Sequence, residues 1–260
     1  MTPVKAVLFD FDGTVSTLRA GWEDIMRPFM IASIAGDKAM TAEQELALKR
    51  EVEAYVDQST GIQTIYQMEW LAERVREQGW SKRVLDKWAY KAIYNERLLA
   101  RVNERVRLLS EGKRKAEDFL IKGAADFIRE LHGRGIAMYV ASGTDHPDVV
   151  REAEVLGIAP FLTDIAGAPV GRAECSKEKV LQDLIRNNGL RGRELAVIGD
   201  GKVEIRLGKE AGAVALGLAS DEERREGLHP AKRARLEAAG ADWIAGDFGR
   251  PDEWLSRLGL

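Results

Sequence analysis

The sequence predicts an α/β fold, with a parallel sheet covered by helices on both faces and a helical insertion near its start. Three observations carry this. Short apolar runs recur along the chain, segments with helical spacing separate the later ones, and the stretch 17–116 keeps helical spacing with no convincing strand.

The apolar runs at 4–9, 136–141, 195–198, 213–216 and 243–245 read as strands buried on both faces, because they lack the polar alternation of a half-exposed strand. Segments 123–131, 146–156, 177–185, 203–211 and 230–239 read as the crossover helices. Glycines 133, 135, 157, 189, 212 and 240 fall near their ends, where a helix stop favours positive φ. Between the first two strands, Ile65, Met68, Leu71 and Val75 follow a three-and-four spacing, as do Leu85, Trp88, Ala92, Leu99, Val102, Val106 and Leu109. About four helices are expected there. The expectation is a Rossmann-like three-layer parallel-sheet core formed by 1–16 and 117–260, with 17–116 as an α-helical cap domain.

Composition narrows the function. The 260 residues are 45% hydrophobic, enough for a sizeable core, and the net charge of -3 offers no basic face for nucleic acid. Cys175 is the only cysteine, so no internal disulfide can form, and a reducing, cytoplasmic setting is expected. No basic stretch leads into an apolar run as in a signal peptide. The longest uncharged apolar stretch, 28–36, falls far short of the roughly 18 residues a membrane helix needs, so no membrane partner is expected. His132, His146 and His229 are scattered and suggest neither a metal site nor a triad.

Four places in the sequence carry chemistry. The first strand runs into Asp10-Phe11-Asp12-Gly13-Thr14, two carboxylates at the sheet edge where open parallel sheets collect ligands. The second runs into Ser142-Gly143-Thr144, whose hydroxyls and backbone N–H groups suit an anion. Lys177 opens a helical segment, an unfavourable place for a cation unless it faces negative charge. The segment 195–198 leads into Gly199-Asp200-Gly201, with Glu204 a turn into the next helix.

If these strands are parallel and adjacent, Asp10, Asp12, Asp200 and Glu204 converge. Two like charges about 4 Å apart repel by roughly 4 kcal/mol at an effective dielectric near 20, so the four need cations. A hard divalent ion with oxygen ligands resolves the repulsion together with the Lys177 ammonium. The absence of histidine and cysteine from the set argues against zinc and points to Mg²⁺. Such a site suits phosphoryl transfer, in which one aspartate attacks phosphorus and the other moves the proton.

In order and spacing, Asp10-x-Asp12-Gly13-Thr14, Ser142-Gly143, Lys177 and Gly199-Asp200 with Glu204 resemble the four signature motifs of the haloacid dehalogenase superfamily, phosphatase type. The resemblance implies that Asp10 is the nucleophile, Asp12 the general acid/base, and Ser142 and Lys177 the phosphoryl ligands. It implies Mg²⁺ held by Asp10, Asp200 and the Asp12 backbone carbonyl, with Glu204 in support. Glu204 departs from the pattern, since an aspartate is more usual there. The family's dehalogenases lack the equivalent of Asp12, so its presence favours a phosphatase or a phosphomutase. The cap then selects the substrate: Arg19 follows the first motif closely, and Gln63 and Tyr66 sit in a segment rich in hydrogen-bonding side chains. These three are candidate contacts to a small phosphorylated metabolite. A non-catalytic binding module is the reading from a different class.

Overall fold

The structure, a computed structural model, describes residues 3–169, 177–190 and 192–260. The chain forms two compact units, Met1–Ala20 with Arg105–Leu260, and Gly21–Glu104.

β1 (Ala6–Phe9) opens the first unit. The second unit holds α1 (Glu23–Ala35), α2 (Ala42–Gln58), α3 (Thr64–Gln78) and most of α4 (Lys87–Ser110), which runs on into the first. The chain continues through α5 (Ala124–Gly133), β2 (Ala137–Asp145), α6 (His146–Val155), β3 (Asp164–Ala168), α7 (Lys177–Asn188), β4 (Leu195–Gly199) and α8 (Lys202–Glu210). It closes with β5 (Val214–Leu218), α9 (Pro230–Ala238), β6 (Trp243–Ala245) and α10 (Pro251–Leu258). No helix among the described residues is long and apolar enough to cross a membrane.

The strands form one parallel sheet in the order β3-β2-β1-β4-β5-β6. The expected α/β architecture is therefore the observed one. The chain moves outward from β1 to β3 and then returns to the other side of β1, so the strand order switches between β1 and β4. A crevice at the carboxyl ends of the strands follows from that switch.

β1 is covered on both sides, as its unbroken apolar run requires. Val7 and Phe9 point into one core with Phe127 of α5 and Trp254 of α10, while Ala6 and Leu8 point into another with Val197 and Leu207. Phe127 stacks on Phe248 with ring centroids 5.1 Å apart, and Phe9 meets Phe127 edge-on at 6.4 Å. This packing makes the end of β1 a rigid place from which to present Asp10.

Two elements lie outside the sequence expectation. β3 reads Asp-Ile-Ala-Gly-Ala and carries too little apolar bulk to signal an edge strand. α10 is only eight residues long, and its buried Trp254, Leu255 and Leu258 form a short helical stripe. The helical unit is also narrower than 17–116. Residues 17–20 and 105–116 belong with the sheet: the Thr17 N–H donates to the Phe119 carbonyl at 2.8 Å, and Arg105 Nη1 donates to the Leu18 carbonyl at 2.7 Å.

Within the helical unit, the Thr41 hydroxyl and the Gln44 side chain cap α2 reciprocally. Tyr55 stacks on Trp70 with centroids 3.8 Å apart.

Candidate active site

Asp10 follows the last residue of β1, and its N–H donates to the Ile198 carbonyl at 2.9 Å. The carboxylate is thus held at the sheet edge beside β4. Asp10 and Glu204 line one small cavity with Leu8, Phe9, Ala141, Val197 and Leu207. Gly199 lies between the two acids. A Cβ there would stand 2.9 Å from the Glu204 side chain and 3.5 Å from that of Asp10, so no larger residue fits without displacing Glu204.

After Asp10 the chain turns sharply. The N–H groups of Val15 and Ser16 both donate to the Phe11 carbonyl at 2.9 Å, and Gly13 adopts φ +75°, the left-handed region. A Cβ at Gly13 would lie 2.6 Å from Asp200 Oδ2 and 2.9 Å from Glu222 Oε1. The Ser220 hydroxyl pins the turn by donating to the Gly13 carbonyl at 2.8 Å. The turn faces Asp12 toward β2, where Thr144 Oγ1 donates to Asp12 Oδ2 at 2.8 Å and Ser142 Oγ donates to the same oxygen at 3.1 Å. Asp12 Oδ1 is buried and has no hydrogen-bond donor among the described residues.

Arg19 also comes to this corner. Its guanidinium donates to Glu152 of α6 through Nε (3.1 and 3.2 Å) and Nη2 (2.6 Å). Nη2 stands 3.5 Å from Asp148, and Nε stands 3.9 Å from Asp12 Oδ1. Glu152 is fully buried (0% exposed), and burial pushes its carboxyl up to about 7 against the pull of Arg19. Burial alone would loosen the Arg19 proton, but Glu152 and Asp12 outweigh it and hold the guanidinium charged.

Because Glu152 has a folded pKa of about 7 against an ordinary 4.5, folding takes up a proton between those values. That contribution is fully present below the lower value and is lost as pH rises through the upper one. Gln at this position cannot take up the proton. Glu152→Gln is therefore expected to lose more stability, relative to the native chain, near about pH 5 than near about pH 8, by urea unfolding. An equal loss at both would show that Glu152 takes up no proton on folding.

A second buried ion pair meets Asp200. The Lys232 ammonium, in the first turn of α9, donates to Asp200 Oδ2 at 2.7 Å and to Glu222 Oε1 at 2.6 Å. Burial lifts the Glu222 carboxyl above the usual carboxylate range against the pull of Lys232, with Asp200 and Asp12 adding to the lift. Burial also works against the Lys232 charge, but the two carboxylates more than offset it.

Asp10, Asp12, Arg19, Ser142, Thr144, Asp200 and Glu204 thus all lie at one edge of the sheet, with Gly143 between the two hydroxyl residues. Lys177 opens α7, but its side chain lies outside the described residues, as do Cys175 and Ser176. Gln63 and Tyr66 belong to the helical unit, where Gln63 precedes the first turn of α3 and the Tyr66 carbonyl accepts from Tyr55 Oη at 3.4 Å. Among the described residues no group of three histidine, cysteine or acidic side chains is placed to hold a metal ion, and the Lys232 ammonium bridges Asp200 to Glu222. The acids still fit a hard cation in chemistry: their donors are all oxygen, they outnumber the nearby cations, and Asp12 Oδ1 is buried without a donor.

Sequence reasoning missed Glu152, Glu222 and Lys232. Lys232 carried the signal used for Lys177, a cation in a helix's first turn. Glu152 carried another, since it lies among Val149, Ala153 and Leu156 on the buried stripe of α6. Glu222 sits in the charged run 221–226, which resembles any solvated loop.

A parallel α/β core with acidic side chains gathered at its strand ends is the frame of a known class of hydrolase. The family model of haloacid dehalogenase-like hydrolases matches residues 4–212, and the chain belongs to that family. No curated protein matches it significantly. Among solved structures, a predicted phosphoglycolate phosphatase from Haemophilus somnus is similar at TM-score 0.65 and 16% identity, over 98% of this chain and 99% of its own. A β-phosphoglucomutase from Clostridium difficile gives 0.64 and 14%, over 98% and 97%. A HAD family hydrolase from Deinococcus radiodurans, solved with bound phosphate and sodium, gives 0.59 and 18%, over 100% and 98%. At these identities the likenesses show the fold.

Proposed function

We propose that the chain is a Mg²⁺-dependent phosphatase that hydrolyses a small phosphorylated metabolite through an aspartyl phosphate on Asp10. The observation that carries the reading is Asp12, two residues beyond Asp10, with one oxygen anchored by two hydroxyls and the other buried without a hydrogen-bond donor among the described residues. A dehalogenation needs no proton for its leaving group. An alkoxide does.

In the proposed reaction an Asp10 oxygen attacks phosphorus, the bond from phosphorus to the ester oxygen breaks, and Asp12 gives its proton to the departing alkoxide. Water then attacks the aspartyl phosphate, Asp12 takes its proton, and the bond to Asp10 breaks, so both carboxylates return to their starting state. Ser142, Thr144 and the Gly143 N–H are the donors assigned to the phosphoryl oxygens, with Lys177 proposed as their cationic partner. Asp10, Asp200 and the Asp12 carbonyl are the proposed holders of Mg²⁺, supported by Glu204. When bound, the ion supplies a hard positive charge that screens the phosphate from the carboxylates. Gln63 and Tyr66 are proposed to select the organic part of the substrate.

The test is phosphate release from a panel of small phosphorylated metabolites. Release is expected with Mg²⁺, should disappear with a chelator, and should return when Mg²⁺ is restored in excess. No Mg²⁺-dependent release from any ester would contradict the reading. An isomerised ester in place of phosphate would make the chain a phosphomutase, the activity named for the Clostridium difficile protein of like fold.

A further inference from the structure

β2 and β3 do not pair evenly. Their ladder joins Tyr139 to Asp164, Val140 to Ile165 and Ala141 to Ala166, then breaks and resumes at Asp145 with Ala168. Three residues of β2 therefore stand opposite one of β3, and the three are Ser142, Gly143 and Thr144. A bulge bends its strand and re-aims the side chains it carries. Here the Ser142 and Thr144 hydroxyls leave the ladder for Asp12 Oδ2, at 3.1 and 2.8 Å, and the Thr144 N–H donates back to Ser142 Oγ at 3.0 Å. The one residue opposite them is Gly167. α6 begins at His146, directly after the resumed pair, and its first turn lies against that glycine. A Cβ on Gly167 would stand 2.5 Å from His146 Cα, 2.8 Å from the His146 backbone nitrogen and 2.7 Å from Val149 Cγ1. The Gly167 N–H donates to His146 Nδ1 at 3.4 Å.

From this geometry we infer that Gly167 is a positioning residue for the phosphoryl-binding turn. Without a side chain it lets the first turn of α6 sit against β3, and that seat holds Ser142, Gly143 and Thr144 out of the ladder and toward Asp12. The inference rests on the phosphatase reading and deepens it. Gly167 does not occupy the left-handed region, so what glycine supplies here is space for a close backbone approach. Two of the three atoms a Cβ would strike belong to the His146 backbone and cannot rotate away. A larger residue must therefore move the start of α6, and the bulge that leads directly into it moves as well. A displacement of about 1 Å in groups that orient a substrate can cost about a hundredfold in rate. Gly167 acts through the turn and not on the substrate.

Gly167→Ala tests this through two constants that report phosphoryl binding. One is the KM of an ester the native protein hydrolyses, and the other is the Kd of inorganic phosphate, titrated by calorimetry with Mg²⁺ present. Both should rise about tenfold or more. A variant that is merely less well folded loses active fraction, which lowers kcat and leaves both constants in place. If Gly167→Ala does not fold, His146→Ala carries the test. It removes the acceptor of the Gly167 N–H at an exposed position, and should raise both constants about threefold. Constants within about twofold of native in the folded variant would overturn the role of Gly167 and leave the phosphatase reading intact. A native protein that neither binds phosphate nor hydrolyses any ester of the panel overturns both.

Discussion

Asp10→Asn is expected to lower phosphate release by about 10⁴-fold or more, because the amide cannot form the acyl phosphate and no other group replaces it. The substitution preserves shape, and the backbone at this position is fixed by its bond to the Ile198 carbonyl and by the packing of Phe9 beneath it. Folding should not suffer. One negative charge leaves a crowded edge that also holds Glu204, Asp12 and Asp200, so the variant is expected to be at least as stable as the native chain. The two measurements belong together: kcat by phosphate release and Tm by calorimetry. A folded variant with kcat within tenfold of native would remove Asp10 from the reaction.

Lys232→Met is expected to have the largest effect on stability. The ammonium bridges two carboxylates on different loops, Asp200 after β4 and Glu222 after β5, and little of its side chain is exposed. Methionine fills a similar volume but leaves both acids without their cation. Breaking a buried pair from one side costs about 3–5 kcal/mol, far more than the loss of a surface pair. The deficit should shrink as pH falls, since burial already lifts Glu222 above the usual carboxylate range and its proton relieves one of the two charges. Adding Glu222→Gln to the Met variant should recover part of the loss for the same reason. Urea unfolding of native, single and double variants near neutral pH and near about pH 5 measures all three effects. A single variant as stable as native would mean that the bridge contributes nothing to the fold.

Much of this architecture was legible in the sequence because periodicity and position reported on it directly. The buried runs containing Phe9 and Ile198 announced β1 and β4, and the parallel reading placed Asp10 and Asp200 at the same edge. β3 escaped notice because alanine and glycine give an edge strand no apolar signature. At the site, the residues legible in advance were those following strand ends, where position alone marks them. Glu152, Glu222 and Lys232 lie inside helices or a charged loop, and their importance comes from partners more than 30 residues away in Arg19 and Asp200, or across a β5–α9 loop. A single chain read in order does not announce such pairings. The Lys232 ammonium beside Asp200 was hidden for the same reason, since it arrives from α9.

The most direct measurement is acid-quench mass spectrometry of the protein caught during turnover of a phosphate ester with Mg²⁺. One phosphoryl group on the peptide that contains Asp10, lost on longer incubation and missing from Asp10→Asn, is the predicted result. Turnover with no phosphorylated peptide at any quench time, or with the group on another residue, would contradict a carboxylate nucleophile at the end of β1.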